Sequence, residues 1–213
     1  MNINAFSAQR RGRRRAVFAK HGRRRAFHRH VDVDVLFGAR GRRHGSSYHG
    51  DVDVRVIGID PGLSGALAVV NGVDGTFTVE AVYDLPTYSE KTSTGKNRRY
   101  IDPVALSALL KAIGKVDRVQ CERMIAPPGV SGMAAFSMGA TMATIAATLR
   151  IARIPYKLVS SGVWKRALDV PADKEAARQF ACRFFKHDTY WPLKKSHNRA
   201  EAALLAVWTI VAA

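Results

Sequence analysis

Three short runs of β-branched and apolar residues, separated by glycines, constrain the fold of this chain more than any other feature. The runs cover Val52–Asp60, Gly65–Asn71 and Thr76–Tyr83, and the third alternates apolar and polar side chains. Runs of this length with such residues are typical of β-strands. Because only a few turn-forming residues separate them, we expect an antiparallel meander of three strands joined by tight turns.

The remainder of the chain alternates helical and strand patterns. We expect a polar, basic loop or hairpin over Leu85–Tyr100, strands at Val116–Glu122 and Tyr156–Val159, and helices at Asp102–Gly114, Gly132–Ile154, Gly162–Leu168, Ala172–Phe185 and His197–Val211. The order of these elements predicts an α/β fold in which helices flank a mixed five-stranded sheet.

Basic charge is concentrated at the start of the chain. Residues 1–50 hold 13 of the 34 Lys and Arg residues but 2 of the 17 Asp and Glu residues, within a net charge of +17. We therefore divide the chain into a basic tail, residues 1–52, expected to be disordered, and one globular domain, residues 53–213. The tail suits contact with nucleic acid without sequence preference, since cations on phosphates release counterions. A targeting segment, contact with other anions, or a stretch translated from an upstream start codon are alternatives.

Other classes of protein are disfavoured by the composition. No apolar run approaches the roughly 18 residues of a membrane span, and no amphipathic basic helix stands out, so we expect no membrane partner. The two cysteines, Cys121 and Cys182, are too few for a disulfide framework or a zinc site, and we expect free thiols.

Three acidic residues lie at the ends of the predicted elements. Asp60 ends the first strand, Glu122 ends the fourth, and Glu201 opens the last helix. If the first and fourth strands are neighbours, their ends bring Asp60 and Glu122 together, and the helix lays Glu201 over the same edge. Carboxylates from separate elements suit Mg²⁺ or Mn²⁺, and two such ions about 4 Å apart support phosphodiester hydrolysis. Each residue alone has a plainer interpretation, as a turn former, an exposed strand end or a partner of the helix dipole.

Sequence motifs accompany these acids in a fixed order over residues 54–210. They are Ile57-Gly58-Ile59-Asp60-Pro61-Gly62, Glu122 with Pro127-Pro128-Gly129, Phe136-Ser137-Met138-Gly139, Val163-Trp164-Lys165-Arg166, Asp173–Arg178 and Arg199-Ala200-Glu201-Ala202. This ordered series resembles the RuvC-type Holliday junction resolvases and their phage relatives, which belong to the RNase H-like superfamily.

The resemblance implies an RNase H-like fold and a homodimeric endodeoxyribonuclease that nicks a four-way DNA junction symmetrically with two Mg²⁺ ions per active site. Asp60, Glu122 and Glu201 would then be catalytic metal ligands. The family usually places a further Asp one helical turn before the last acid, where this chain has His197 and Asn198. His197 is expected to be a weaker ligand or to orient water, and Asn198 to supply a neutral oxygen or merely to cap the helix.

DNA bound at such a site would meet the basic residues that flank it in the globular domain. The expected contacts are Lys157, Lys165, Arg166, Lys194, Lys195 and Arg199, with the loop Lys91–Arg99 on another arm of the DNA. The apolar helix Met133–Ile151 is the candidate dimer face. The plainer alternatives are solvating lysines and a core helix.

Three other functions compete with the resolvase. A non-catalytic protein that binds or packages branched DNA would follow if the departure at His197 and Asn198 has weakened the site. A nuclease for replication forks or RNA–DNA hybrids would keep the fold. Half of an actin-like ATPase is disfavoured, because the chain lacks a second Gly-rich phosphate loop and is too short for two lobes. The phage-like resemblance favours the cytoplasm of a bacterium or of its phage-infected cell, and the Arg-rich start leaves an organelle as the alternative.

Overall fold

The computed structural model describes residues 53–212, and the predicted basic tail lies outside this range. The described part begins with the expected meander, formed by β1 (Val54–Asp60), β2 (Ala66–Val73) and β3 (Thr76–Asp84). Both pairs of neighbouring strands are antiparallel. Asp74 and Gly75 connect β2 to β3 with positive φ angles of 47° and 74°, as a two-residue turn of type I′ requires.

Two parallel strands complete a mixed five-stranded sheet. They are β6 (Arg118–Glu122) and β7 (Tyr156–Val159), and the strand order across the sheet is β3-β2-β1-β6-β7. β6 pairs with β1 in parallel, with Ile59 opposite Cys121. The predicted neighbourhood of the first and fourth strands of the sheet is therefore confirmed, and both strands end at the same edge.

The segment predicted as a loop or hairpin is a hairpin. β4 (Thr87–Lys91) and β5 (Asn97–Ile101) pair with each other and form a two-stranded sheet separate from the main one. At its base, Leu85 and Ile101 are buried in the same core cluster as Ile57 of β1. The base of the hairpin is thus anchored in the domain, whereas its tip extends away from the core.

Five α-helices and one 3₁₀ turn surround the sheet in the described part of the chain. They are α1 (Pro103–Ile113), α2 (Gly132–Ile151), α3 (Ser161–Ala167), α4 (Lys174–Phe185), the 3₁₀ turn Lys194–Ser196, and α5 (His197–Val211). α1 begins as predicted, since Asp102 accepts hydrogen bonds from two backbone N–H groups and Pro103 follows it. α2 ends before the predicted Ile154, because Arg153 takes a left-handed conformation with φ 56°.

Strand alternation divides the core into two layers, one on each face of the sheet. Ile57, Ile59 and Cys121 belong to the layer that also contains residues of α1 and α2. Val56 belongs to the other layer, which is built largely from α4 and α5. By the same alternation, Asp60 and Glu122 point to the face that α5 covers. Both cysteines are free, as predicted.

α2 is less buried than its composition predicts. Its buried side chains form one stripe, Thr141, Ile145, Thr148 and Leu149. Met133, Phe136 and Ile151 are exposed. Within the single chain, the alternative of a core helix therefore applies only to this buried stripe. α2 is long and apolar enough to span a membrane, but its buried stripe packs it into the core cluster on the α1 side of the sheet.

Candidate active site

Three carboxylates converge at the carboxyl edge of β1 and β6. Asp60 and Glu122 end these adjacent parallel strands, and Glu201 lies in the first turns of α5. One side-chain oxygen from each residue lies within 4.8 Å of the other two. Glu201 is only 7% exposed, although a charged side chain is rarely buried without a partner. The structure therefore brings together the three acids that the sequence singled out.

The carboxylates of this acidic cluster, Asp60, Glu122 and Glu201, repel one another, and two of them have a raised pKa. Burial raises the pKa of Asp60 well above its usual value, and the neighbouring Glu201 and Glu122 raise it further. Burial also raises the pKa of Glu122, and the charge on Glu201 adds to this against the opposing effect of a hydrogen bond from Trp164. Repulsion of this kind is relieved by a cation placed between the carboxylates.

Two residues of α3 contact the acidic cluster directly. The indole Nε1 of Trp164 donates a hydrogen bond to Glu122 Oε2 at 2.8 Å, and Trp164 is fully buried. Lys165 Nζ donates to Glu201 Oε1 at 2.9 Å, in an ion pair that is largely buried on both sides. The Lys165 ammonium also lies 5.5 Å from the centre of the Trp164 ring. α3 therefore fixes the orientation of two of the three acids.

Sequence reasoning missed the role of Trp164 and assigned Lys165 to DNA alone. The adjacent Trp164 and Lys165 belong to the motif Val163-Trp164-Lys165-Arg166, but nothing in their spacing predicts that the indole N–H faces a carboxylate. A tryptophan in a short helix near an acidic strand end is a weak signal, because most such residues only fill the core.

His197 and Asn198 begin α5 one turn before Glu201. Asn198 Nδ2 donates to the carbonyl oxygen of Ser64 at 2.6 Å, and this contact ties α5 to the turn that follows Asp60. His197 Nδ1 lies 3.3 Å from the Lys194 carbonyl oxygen, and the residue is not part of the acidic cluster found in residues 53–212. The alternative that Asn198 caps the helix is wrong, since the N-cap residue is Ser196. The side-chain oxygen of Asn198 remains a candidate ligand.

The predicted DNA-contacting residues divide into two groups. Lys165 and Arg199 are engaged within the chain, and Arg199 forms a bidentate pair with Asp84 at 2.7 and 2.5 Å. The other four, Lys157, Arg166, Lys194 and Lys195, are exposed. No ion pair in the described part of the chain involves any of these four. They are therefore free to meet phosphates.

The donor set fits a hard divalent cation. Three carboxylates approach each other from two strands and a helix, and their oxygens are the ligands that Mg²⁺ and Mn²⁺ prefer. Trp164 orients one of these carboxylates, as outer-shell hydrogen bonds do in metal sites. Asp60, Glu122 and Glu201 are thus suited to hold metal, with the side-chain oxygen of Asn198 as a candidate neutral ligand.

Comparison with known proteins rests on structure alone. No protein-family model matches the sequence, and neither does any curated protein. A structure of Thermus thermophilus RuvC in complex with a Holliday junction substrate superposes with a TM-score of 0.50 and 13% sequence identity, covering 75% of this chain and 96% of RuvC. The chain has the RuvC fold. A second RuvC structure from Thermus thermophilus gives the same TM-score at 16% identity, covering 74% of this chain and 95% of that one.

A weaker similarity is found to the yeast mitochondrial Holliday junction resolvase Ydc2. Its TM-score is 0.43 at 15% identity, over 73% of this chain and 78% of that one. The fold that the motifs implied, an RNase H-like mixed five-stranded sheet flanked by helices, is confirmed by the RuvC superpositions.

Proposed function

We propose that this chain is a structure-selective endodeoxyribonuclease that resolves Holliday junctions or other branched DNA by metal-dependent phosphodiester hydrolysis. The observation that carries this proposal is the convergence of Asp60, Glu122 and Glu201 on a RuvC fold. One solved structure with this fold is a RuvC complex with a Holliday junction substrate. The excess of Lys and Arg over Asp and Glu suits a polyanionic substrate.

Two Mg²⁺ or Mn²⁺ ions would be held by Asp60, Glu122 and Glu201, with Asn198 and His197 as further metal ligands. Such ions, when bound, supply Lewis-acid stabilisation of the attacking and leaving oxygens in phosphodiester hydrolysis. Trp164 keeps the Glu122 carboxylate in one orientation through its N–H. Lys165 compensates the charge of Glu201 through its ion pair with that carboxylate.

The exposed cations around the site would position the DNA. Lys194 and Lys195 lie immediately before α5, Arg166 lies at the end of α3, and Lys157 lies on the edge strand β7. Contacts of this kind fix the register of a duplex on a protein without reading its sequence. Selectivity for a branch would therefore come from the relative placement of two active sites.

Two such sites require a homodimer, and α2 is the face that we assign to it. Its exposed residues Phe136, Gly139, Ala143 and Ala147 follow one side of the helix. Small residues on such a side let two helices approach closely, and an isologous contact would relate the two sites by a two-fold axis. A four-way junction offers two equivalent strands to such a dimer.

A second candidate is a non-catalytic protein that binds branched DNA. Two observations favour it: the Asn198 amide is hydrogen-bonded to Ser64, and Lys165 forms an ion pair with Glu201. A site arranged in this way would hold a second ion less tightly than a site with a fourth carboxylate.

Cleavage of defined DNA substrates tests the two candidates. The full chain is incubated with Mg²⁺ or Mn²⁺ and a synthetic four-way junction, beside a linear duplex, a flap and an RNA–DNA hybrid. Paired nicks on the junction that disappear in Glu122→Gln are expected for the resolvase. Tight junction binding without a cut in either metal would favour the binding protein, and cleavage of the hybrid would overturn the proposed substrate.

A further inference from the structure

The hairpin β4–β5 carries several cationic side chains that form no ion pair with the acidic cluster. It contains Lys91, Lys96, Arg98 and Arg99 against one carboxylate, Glu90. None of the four ion pairs in residues 53–212 includes a cation of the hairpin. Both lysines are exposed. Unpaired cations on a projecting element suit a polyanionic partner.

The register of the hairpin separates its charges by face. Opposite residues share a face, and Glu90 lies opposite Arg98 whereas Ser89 lies opposite Arg99 and Lys91 opposite Asn97. Successive residues of a strand point to opposite faces. The single carboxylate therefore lies on one face, and the other face presents Lys91 and Arg99 with no acidic side chain between them.

The face of the hairpin that carries Lys91 and Arg99 is directed toward the turn that follows Asp60. Arg99 Nη2 donates to the carbonyl oxygen of Leu63 at 2.5 Å, and Leu63 lies three residues after Asp60. Arg98, on the other face, contacts the sulfur of Met133 at the start of α2. The middle of β5 is therefore held between the turn after β1 and the first turn of α2.

The hairpin is rigid enough to act as a contact element. Tyr88 and Tyr100 stack across the two strands with ring centres 5.5 Å apart. At the tip, the backbone N–H of Thr92 donates to the carbonyl oxygen of Lys96 at 2.8 Å, and the N–H of Gly95 donates to the carbonyl oxygen of Thr92 at 2.9 Å. Gly95 has a φ of 78°, a backbone conformation that residues with a side chain rarely adopt. An ordered tip loses little conformational entropy when it binds.

We propose that this hairpin is a second DNA-contact element, which binds the phosphates of the duplex arm next to the cleaved strand. Lys91 lies about 7 Å beyond Arg99 along the hairpin, at about 3.4 Å per strand residue. That distance is roughly two base-pair steps of a duplex, at 3.4 Å per step. Lys91 and Lys96 therefore reach phosphates beyond those at the carboxylates. This inference rests on the proposed function, since it assigns a further part of the same DNA to a separate element.

Salt dependence of DNA binding tests the proposal, because each lost phosphate contact lowers the slope of log Kd against log salt by about 0.9. Binding to a fluorescent four-way junction is measured by anisotropy at several KCl concentrations, with Glu122→Gln in every protein to prevent cleavage. The test variant is Lys91→Ala with Lys96→Ala. The matched control is Lys111→Ala with Lys115→Ala, which removes two exposed lysines at and just beyond the end of α1.

We expect the hairpin variant to lose about 2 from the magnitude of the slope and to bind roughly tenfold or more weakly at 0.1 M salt. The control variant should retain the parent slope, and Lys91→Arg with Lys96→Arg should restore it. Equal losses in hairpin and control variants, or no rescue by arginine, would overturn the proposal. Thermal melting of each variant confirms that it is folded.

Failure of the proposed function is recognised separately. In that case, the unsubstituted chain neither cuts the junction nor binds it more tightly than linear duplex. The slopes of the hairpin and control variants are then compared on the duplex, where a difference supports phosphate contact by the hairpin and its absence overturns it.

Discussion

At the scale of single residues, the acidic cluster combines mutually repelling carboxylates with neighbouring side chains that orient them. Asp60 and Glu122 both have a raised pKa because burial and like charge disfavour their ionised forms. Lys165 and Trp164 hold Glu201 and Glu122 through one contact each. The site is thus preorganised at a cost to the stability of the metal-free chain, which is common where function demands convergent charge.

The hydrogen bond from Trp164 to Glu122 is expected to strengthen metal binding. Trp164→Phe keeps the aromatic bulk but removes the N–H, and hydrogen bonds to charged groups contribute about 1.5–3 kcal/mol. We expect the Kd for Mn²⁺, measured by calorimetry, to rise roughly 10- to 100-fold.

Trp191→Phe provides the matched control for this change. Trp191 is also fully buried, but its indole N–H has no hydrogen-bond partner among residues 53–212. Its replacement should leave the Mn²⁺ affinity unchanged. Equal Kd values for the two variants would refute the positioning role of Trp164.

Replacement of Asp60 is expected to stabilise the metal-free chain at neutral pH. The pKa of Asp60 is higher in the folded than in the unfolded chain. Such an acid costs the folded state no stability below its unfolded pKa. Stability then falls as pH rises from that value through the folded pKa. In EDTA, Asp60→Asn should therefore raise Tm at pH 7 by at least about 3 °C, equivalent to about 1 kcal/mol in a domain of this size. The gain should shrink toward pH 4, where the unfolded carboxyl begins to protonate.

Asp84→Asn serves as the opposite-sign control for this experiment. Hydrogen bonds from Arg199 lower the pKa of Asp84, so its stabilising effect is present above the unfolded pKa and is lost as pH falls through the folded pKa. This variant should not raise Tm at pH 7. Mg²⁺ should stabilise the unsubstituted chain more than Asp60→Asn, and a Tm for Asp60→Asn below that of the parent in EDTA would contradict the argument.

Residue roles were only partly predictable from the sequence. Asp60, Glu122 and Glu201 were found because each acid ends or opens an otherwise apolar element, and strand adjacency then fixes where they meet. The indole of Trp164 and the pairing of Lys165 depend on how α3 packs, which is decided by tertiary contacts and leaves no periodic pattern. For the same reason, the Ser64 partner of Asn198 was not foreseen.

At the scale of elements, the close approach of α5 to β1 is what places Glu201 over the sheet edge. A Cβ at Gly58 would lie 2.1 Å from the Ala202 carbonyl oxygen and 2.7 Å from the Ala206 nitrogen. Both are backbone atoms of α5, which cannot move aside alone. Glycine at this position is therefore a requirement of the packing that builds the site.

Gly58→Ala is accordingly expected to destabilise the fold by about 3 kcal/mol or more, at the upper end of overpacking effects. Urea unfolding followed by circular dichroism measures this loss. Gly72→Ala is the control, because its Cβ would meet side-chain and not backbone atoms: two of Ile210, at 3.0 and 3.1 Å, and one of Phe77, at 3.6 Å. An unfolding midpoint for Gly58→Ala equal to that of the unsubstituted chain would show that α5 can move away from β1 without cost.

The boundaries of the helices were predictable from the sequence where a local signal, such as a capping residue, exists. α1 has both a capping Asp102 and Pro103, and α5 spans the predicted His197–Val211. Local rules do not decide how much of a helix is covered, which is why the sequence left α2 open between a dimer face and a core helix. Its alanines and glycines indicate close packing but do not tell which partner packs on them.

At the scale of the whole molecule, the uncovered side of α2 bears on how the chain could cut both strands of a junction. The helix is about 30 Å long, at 1.5 Å per residue, and its buried residues occupy one stripe. Phe136 is 60% exposed on the opposite part of its surface. A symmetric pair of α2 helices would bury this side and create the second site that paired nicks demand.

Phe136→Asp should therefore weaken self-association at least about 100-fold, because an unpaired charge in a buried interface costs several kcal/mol. Sedimentation equilibrium of the full chain measures this, with Val104→Asp as control, since Val104 is 78% exposed on α1. The control should remain dimeric. A monomeric variant that retains single nicks but loses paired ones would link the α2 contact to resolution, whereas an unsubstituted chain that stays monomeric at every concentration would remove α2 as the dimer face.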